Sequence, residues 1–410
     1  MPDPQFATND VARIVTGRAI RGFADGLVSV LLAQYLTNLG FTPFQVGAIV
    51  TGTLIGSAVL TLGFGLNAHR TTLGRLLVGA CVVMALTGLG FALVTTFWAL
   101  LIIAVVGTLN PSSGDVSVFL PTEQAFIAER VEPAQRTRTY AIYNLGAVLA
   151  GALGALVSGV PNRVASATGW ELTAVQRFGF VAYALAAVMI FGLYRSIPRR
   201  ESELRASTAR AASAKSLGAS KRIVFELAAL FSVDSAASGL VVTSMLVLWL
   251  QLRFALSAGV TAGVFFAAGL AGACSQLLAP ILAKRIGMVK TMAFTHMPAS
   301  ALLALTAFAP NGNVAIGLLL VRAVFAQMDA PARQAFVMSV VPPEHRAPAA
   351  SITNVPRSLA SATTPLIAGA LLSRSTFGWP LLIAGIVKFS YDVALLQLHR
   401  NTPVGVAETM

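Results

Sequence analysis

"PTEQAFIAERVEPAQRTRTYAIYN" (residues 121–144) lies over "PARQAFVMSVVPPEHRAPAASITN" (331–354) when the chain is shifted by 210 residues. Between 121–160 and 331–370, fourteen of forty positions are identical without a gap, including Pro121/Pro331, Gln124/Gln334, Arg136/Arg346 and Asn144/Asn354. A second match joins "GLVSVLLAQYL" (26–36) to "GLVVTSMLVLWL" (239–250) with one residue of slippage. An internal repeat fixes the architecture ahead of any single helix. The chain is two copies of one unit in parallel orientation. They are joined by the basic, Ala/Ser-rich segment 196–222, whose composition suits a solvated linker with room for a surface helix.

Each copy is built of membrane spans. Of 410 residues, 56% are hydrophobic and 11% charged, where a soluble chain carries roughly a quarter charged residues. Segments long enough to cross the hydrocarbon core as helices recur throughout, at about 20 residues each. The short alternating segments of a membrane β-barrel do not occur. Twelve spans are expected, near 12–39, 43–65, 74–95, 97–127, 138–160, 177–195, 223–252, 257–283, 290–309, 312–332, 348–372 and 378–398. The polar, acidic start MPDPQFATND lacks the basic opening of a signal peptide. Cys81 and Cys274 fall inside spans of different halves and read as buried structural thiols.

The net charge of +13 invites a nucleic-acid reading, but its placement excludes it. With the N-terminus in the cytoplasm, 19 of the 29 Lys and Arg fall in cytoplasmic segments and four (Arg163, Arg177, Arg253, Arg374) fall outside. Eight lie between Arg195 and Arg222 alone. That asymmetry sets the orientation of a multi-pass protein with both termini inside.

Two six-span halves around a basic central loop resemble the major facilitator superfamily. "GLNAHRTTLGR" (65–75) is similar to that family's G-x-x-x-D-R-x-G-R signature after span 2, and "LAKRIGMVK" (282–290) is a second relative of it after span 8. The resemblance implies an all-α membrane fold of twelve helices in two pseudo-symmetric six-helix bundles. The bundles would be 1–195 and 223–410, with 196–222 as the cytoplasmic linker. It also implies transport by alternating access around a cavity lined by spans 1, 4, 7 and 10. The signature's aspartate is His69 here and Lys284 in the second copy, and two extra residues precede Gly74. His69, Arg70, Arg75, Lys284 and Arg285 therefore mark a cytoplasmic gate whose family charge latch is altered. The Gly-Pro pattern of many drug/proton antiporters is missing from "YNLGAVLAGALGALVSG" (143–159).

The repeat also places the irregular stretch "TLNPSSGDVSVFLPTEQ" (108–124). Position 112 corresponds to Arg322, about ten residues or ~15 Å into span 10 and so near the bilayer midplane. Pro111 cannot donate its backbone hydrogen bond and crowds the preceding turn. Span 4 should be one broken helix facing the cavity, since irregular backbone at that depth survives only against protein or water. Asn110, Ser112 and Asp115 then become candidate contacts for a solute or ion.

Charged residues inside spans are costly and mark function by default. The midplane charges of the four cavity-lining spans are Asp25, Asp115, Asp234 and Arg322, with Arg357 lower in span 11. Arg322 offers a planar, permanently charged fork for an anionic group, and Arg21 and Arg357 are further candidates. Asp25, Asp115 and Asp234 are candidate proton carriers. Arg21 and Asp25, spaced i,i+4, share a face and can instead form a structural pair. Glu123 and Arg333 occupy equivalent positions and are expected to face each other as a cytoplasmic gate bridge. Lys388 and Asp392 read as a self-neutralising i,i+4 pair, His296 as a packed residue, and Arg136 and Arg346 as anchors in paired loops.

No nucleophile-and-base set, metal cluster or GxxxxGK[ST] phosphate loop is present in the sequence. An enzyme is not expected, nor a cofactor. The residues point to proton-coupled efflux of a small anionic or zwitterionic organic compound or drug by a monomer in the cytoplasmic (inner) membrane. The alternatives are uptake or exchange of organic anions without protons, and a non-transporting membrane sensor.

Overall fold

A computed structural model of the chain describes residues 4–67, 73–111, 119–195, 221–341 and 346–399. The described residues form sixteen helices and no strands. They are α1 Pro4–Asn38, α2 Pro43–Asn67, α3 Leu73–Leu93, α4 Phe97–Val106, α5 Phe119–Arg130, α6 Pro133–Val157, α7 Val160–Thr168 and α8 Leu172–Tyr194 in the first half. The second half has α9 Lys221–Leu240, α10 Thr243–Phe254, α11 Ala258–Ile286, α12 Met288–Thr306, α13 Gly312–Phe325, α14 Asp329–Ser339, α15 Arg346–Arg374 and α16 Trp379–His399. Spans 4, 5, 7 and 10 each comprise two helices, so the sixteen make twelve spans in two pseudo-symmetric bundles of six.

Among the described residues eight helical stretches are long and apolar enough to cross a membrane, and α4 and α13 are shorter apolar helices. Their outward faces carry large apolar side chains such as Leu86, Trp98, Ile102, Leu185 and Val188. Water would not tolerate so much exposed apolar surface, and lipid does. Between spans there is no hydrophobic drive to pack in lipid, so close approach of backbones takes its place. The α1–α6 seam shows this. A Cβ on Gly26 would fall 2.0 Å from the Gly151 carbonyl oxygen, and one on Gly154 would meet the Phe23 carbonyl.

The breaks have identifiable causes. In span 7, Thr364 donates its hydroxyl to the Ala236 carbonyl at 2.8 Å, occupying an acceptor of the helical ladder just before α9 ends. Span 4 breaks at Gly107, whose backbone is extended, four residues before Pro111. Three backbone groups freed at that break find protein partners. The Thr108 N–H bonds the Thr87 hydroxyl, and Tyr183 donates to the Thr108 carbonyl. The Pro111 carbonyl accepts from both the N–H and the hydroxyl of Ser244 at the start of α10. The break of span 4 is thus sealed by the break of span 7.

The bundles meet through the halves of their spans that lie away from the chain termini, here called the far side. Ser244 donates to the Ser29 carbonyl at 2.7 Å, and the Leu366 N–H to the Thr51 hydroxyl at 2.9 Å. Gly47 on α2 lies so close to α15 that a Cβ there would sit 2.6 Å from the Pro365 carbonyl oxygen. Gly159 approaches Gly259 and Gly269 approaches Ala152 in the same way between spans 5 and 8. This conformation is closed on the far side. Three sequence expectations need correction here. Span 1 starts as helix at Pro4, well before residue 12, and span 5 continues as helix to Thr168. Cys274 is exposed on the bundle surface while Cys81 is buried.

Candidate functional site

Among the described residues each bundle holds a buried ionic network linking its first and fourth spans, and the two sit at equivalent positions of the repeat. In the first bundle Arg21 of α1 clamps Glu123 of α5 with two parallel bonds, 2.5 Å to Oε1 and 2.8 Å to Oε2. Tyr194 donates to Oε1 at 2.6 Å and Tyr143 to Oε2 at 2.5 Å. Both carboxylate oxygens therefore accept one guanidinium and one phenol proton, and the guanidinium stacks over Phe119 at 4.4 Å. Gly17 makes room, because a Cβ there would lie 2.5 Å from the Tyr194 hydroxyl. Arg21 and Glu123 are essentially fully buried.

In the second bundle the polarity is reversed. The 213-residue offset of the GLV match sets Arg21 against Asp234, and the 210-residue shift sets Glu123 against Arg333. Arg333 reaches Asp234 at 3.7 Å and Asp329, one turn before it, at 2.8 Å. Asp234 is shared. Lys388 of α16 donates to its Oδ1 at 2.7 Å and to Ser238 at 2.7 Å. His296 of α12 places Nε2 3.7 Å from the same oxygen and Nδ1 3.0 Å from both oxygens of Asp392. Ser300 donates weakly to Asp392, and Tyr391 packs edge-on against the imidazole.

These contacts overturn three expectations. Glu123 and Arg333 do not bridge across the pseudo-two-fold axis, because each is held within its own bundle by the counterpart residue of span 1 or span 7. Arg21 forms no ion pair with Asp25, since its fork is spent on Glu123. Lys388 and Asp392 do not neutralise each other: the long lysine side chain reaches the carboxylate on α9, and His296 takes Asp392. The partners missed in the sequence are Tyr143, Tyr194, His296 and Ser238. A signal for the ionic partners did exist, because the two repeat offsets align opposite charges at both positions.

The other candidates are placed as follows. Asp25 is buried on α1 with Oδ1 unpartnered, and Asn110 of the span 4 break hydrogen-bonds it. Arg18, a turn earlier than Arg21, lies over the Tyr143 ring at 5.4 Å. At the terminus side of α1, Asp10 pairs with Arg13 and Arg130, each at 3.0 Å. Arg322 sits in the last turn of α13, partly buried, and forms no hydrogen bond or ion pair with any described residue. Arg357, also partly buried, donates to Ser235 and Asn354. Of the gate candidates, Arg75, Lys284 and Arg285 are exposed. His69, Arg70, Ser112 and Asp115 lie outside the described residues, as do the side chains of Arg136 and Arg346 and most of the linker. No cluster of three potential metal ligands occurs among the described residues.

Residues 14–326 match the family model for the Major Facilitator Superfamily. The chain belongs to that superfamily. A curated relative from Saccharomyces cerevisiae, the uncharacterized membrane protein YJR124C, is 23% identical over 435 residues, spanning 98% of this chain and 97% of its own. Among solved structures, the inward-open xylose transporter XylE from E. coli superposes with a TM-score of 0.76 at 14% identity, covering 97% of this chain and 98% of that one. A D-xylose-proton symporter gives 0.74 at 16% identity, covering 96% and 98%. The nucleoside transporter NupG gives 0.69 at 14% identity, covering 95% and 98%. At these identities the likeness shows the fold of a superfamily transporter and leaves the solute open.

Proposed function

We propose that this chain is a secondary active transporter that moves a small organic solute bearing an anionic group, by alternating access and in exchange for protons. Arg322 carries the reading. It is a cation in the membrane-spanning part of span 10 that no described side chain neutralises, and a charge at such depth is too costly to keep without a use. Its planar fork fits a carboxylate or phosphate group, which the solute would supply. Arg357, one span along, offers a second donor to the same solute. Arg21 is set aside for this role because its fork is clamped on Glu123.

The protein would work as a monomer in the cytoplasmic membrane with both termini inside, where the basic segments lie. The far-side closure would then be the state that exchanges solute with the cytoplasm. Uptake with protons is the second reading, favoured by the proton symporter among the structural neighbours. The deciding experiment is a panel of organic anions offered to proteoliposomes under an imposed pH gradient. Wild type should move at least one compound, and Arg322→Gln should lose it with the fold intact. Solute movement against the proton flow supports export, and movement with it supports uptake. Failure of every compound in wild type would leave the sensor reading standing.

A further inference from the structure

The two ionic networks differ in how well they close. Around Glu123 every acceptor site has its donor and the charges of Arg21 and Glu123 cancel. Around Asp234 the count among the described residues is uneven: three carboxylates (Asp234, Asp329 and Asp392) meet one lysine and one arginine (Lys388 and Arg333). The sixth member, His296, decides the balance. Its two ring nitrogens face two different carboxylates, 3.0 Å and 3.7 Å away. A carboxylate only accepts, and a neutral imidazole has one N–H and one lone pair. The neutral ring would therefore turn a lone pair toward one of two anions. The doubly protonated ring bonds Asp392 at 3.0 Å and turns its second N–H toward Asp234 at 3.7 Å, and it brings the cluster to zero net charge with all three carboxylates ionised; a neutral ring reaches the same balance only by accepting from a protonated Asp392.

We propose that His296 is the proton-binding residue of this transporter, carried as an imidazolium between Asp392 and Asp234 in the conformation seen here. The inference deepens the function proposed above and rests on it for the coupling to a solute. From α9 the ring is faced by Asp234, and through that carboxylate by Arg333 and Asp329 of α14. From α16 it is faced by Lys388, Tyr391 and Asp392. Arg357 of α15 approaches the residue next to Asp234, Ser235, at 3.1 Å. Lys284 and Arg285 of α11 and Arg322 of α13 form no ion pair with it. The proton arrives from water at one ring nitrogen and leaves to water on the other side of the membrane, so no covalent bond other than N–H changes.

Its departure leaves Asp392 without a cation. Lys388, one turn earlier on α16, is the cation within reach. Moving to Asp392, it would release Asp234 to close the remaining 3.7 Å gap onto Arg333. An α9–α16 tie would thus be exchanged for an α9–α14 tie, joining proton binding to the relative positions of spans 7, 10 and 12. The closed network around Glu123 has no such freedom and serves as the fixed counterpart.

The test uses full-length protein in lipid with nitrogen-15-labelled histidine. Only four histidines occur, His69, His296, His345 and His399, and His296→Gln identifies the signal. At about pH 7.5, where an unperturbed imidazole is mostly neutral, one signal should show both ring nitrogens protonated. It should vanish in His296→Gln and lose its doubly protonated character in Asp392→Asn. A neutral, single-tautomer His296 at that pH overturns the proposal whether or not a solute has been found. In proteoliposomes, His296→Gln should reduce gradient-driven accumulation at least tenfold, to the level without a gradient. Solute exchange at equal pH should stay within about twofold of wild type. Equal loss of both modes would mean a structural role and would also overturn it. If wild type moves nothing, the transport reading fails and the nitrogen signals alone judge the proton site.

Discussion

Glu123→Gln should be the most destabilising conservative change in the first bundle. The carboxylate accepts four hydrogen bonds, two from Arg21 and one each from Tyr143 and Tyr194. The amide keeps the shape but loses the charge and turns an NH2 toward donors. Arg21, 1% exposed, is then a buried cation that has lost its ion-pair partner, with a neutral amide oxygen and the face of Phe119 in its place. Removing one partner of a buried pair costs about 3–5 kcal/mol. At about 2–4 °C per kcal/mol for a unit of this size, the melting point of the bundle should fall on the order of 10 °C. Cys81, buried in the same bundle, reports the event through a thiol-reactive dye in a Cys274→Ser background. The double variant Arg21→Met/Glu123→Leu removes both charges and should recover about half of the loss. The rest stays because two tyrosine hydroxyls are left unpaired at about 1–3 kcal/mol each. A Glu123→Gln protein melting within about 2 °C of wild type, or a double variant less stable than the single one, would refute the reasoning.

Other outcomes follow from the same geometry. Asp234→Asn should lower the melting point less than Glu123→Gln, because His296 can give up its proton and return the cluster to zero net charge, while Asp329 still holds Arg333; a larger drop would contradict the charge count. Ser244→Ala removes the hydroxyl proton shared between the Ser29 and Pro111 carbonyls across the bundle interface, while the backbone N–H to Pro111 stays, at about 0.5–1.5 kcal/mol for one lost hydrogen bond. Backbone hydrogen exchange in α10 should rise accordingly. Gly47→Val drives a side chain onto the Pro365 carbonyl and should disfavour far-side closure. Spin-label distances between α2 and α15 should then lengthen there, and unchanged distances would mean that the close approach is not needed. Arg322→Gln should weaken binding of the transported anion at least tenfold while leaving the melting point near that of wild type, as expected for a lost charge-assisted bond to solute.

The architecture was legible in the sequence because a repeat and the membrane constrain so much at once. Two matching segments fixed the halves, and the requirement for ~20 apolar residues fixed the spans. The break in span 4 was legible from Asn110 and Pro111, although it begins at Gly107, where no proline announces it. The ionic partners were less legible. Helical periodicity says which residues share a face, not which neighbour that face meets. The i,i+4 rule suits Asp329 and Arg333, which do pair. It misdirects for Lys388 and Asp392, where a flexible lysine finds a carboxylate on α9 and a histidine 96 residues away takes the other. Tyr143 and Tyr194 looked like ordinary apolar-span aromatics, since only tertiary packing shows that their hydroxyls end at Glu123.

The claim that the two bundles rock against each other is tested most directly by pinning them. Ala152 of α6 and Gly269 of α11 belong to different bundles, and a Cβ on Gly269 would lie 2.9 Å from the Ala152 Cβ. A disulfide wants about 3.8 Å between those atoms, so a small shift lets Ala152→Cys/Gly269→Cys cross-link once Cys81 and Cys274 are replaced. Solute exchange in proteoliposomes is then measured oxidised and reduced. The account predicts that oxidation stops exchange at least tenfold and that a reductant restores it. Full cross-linking with exchange unchanged would contradict alternating access by these two bundles.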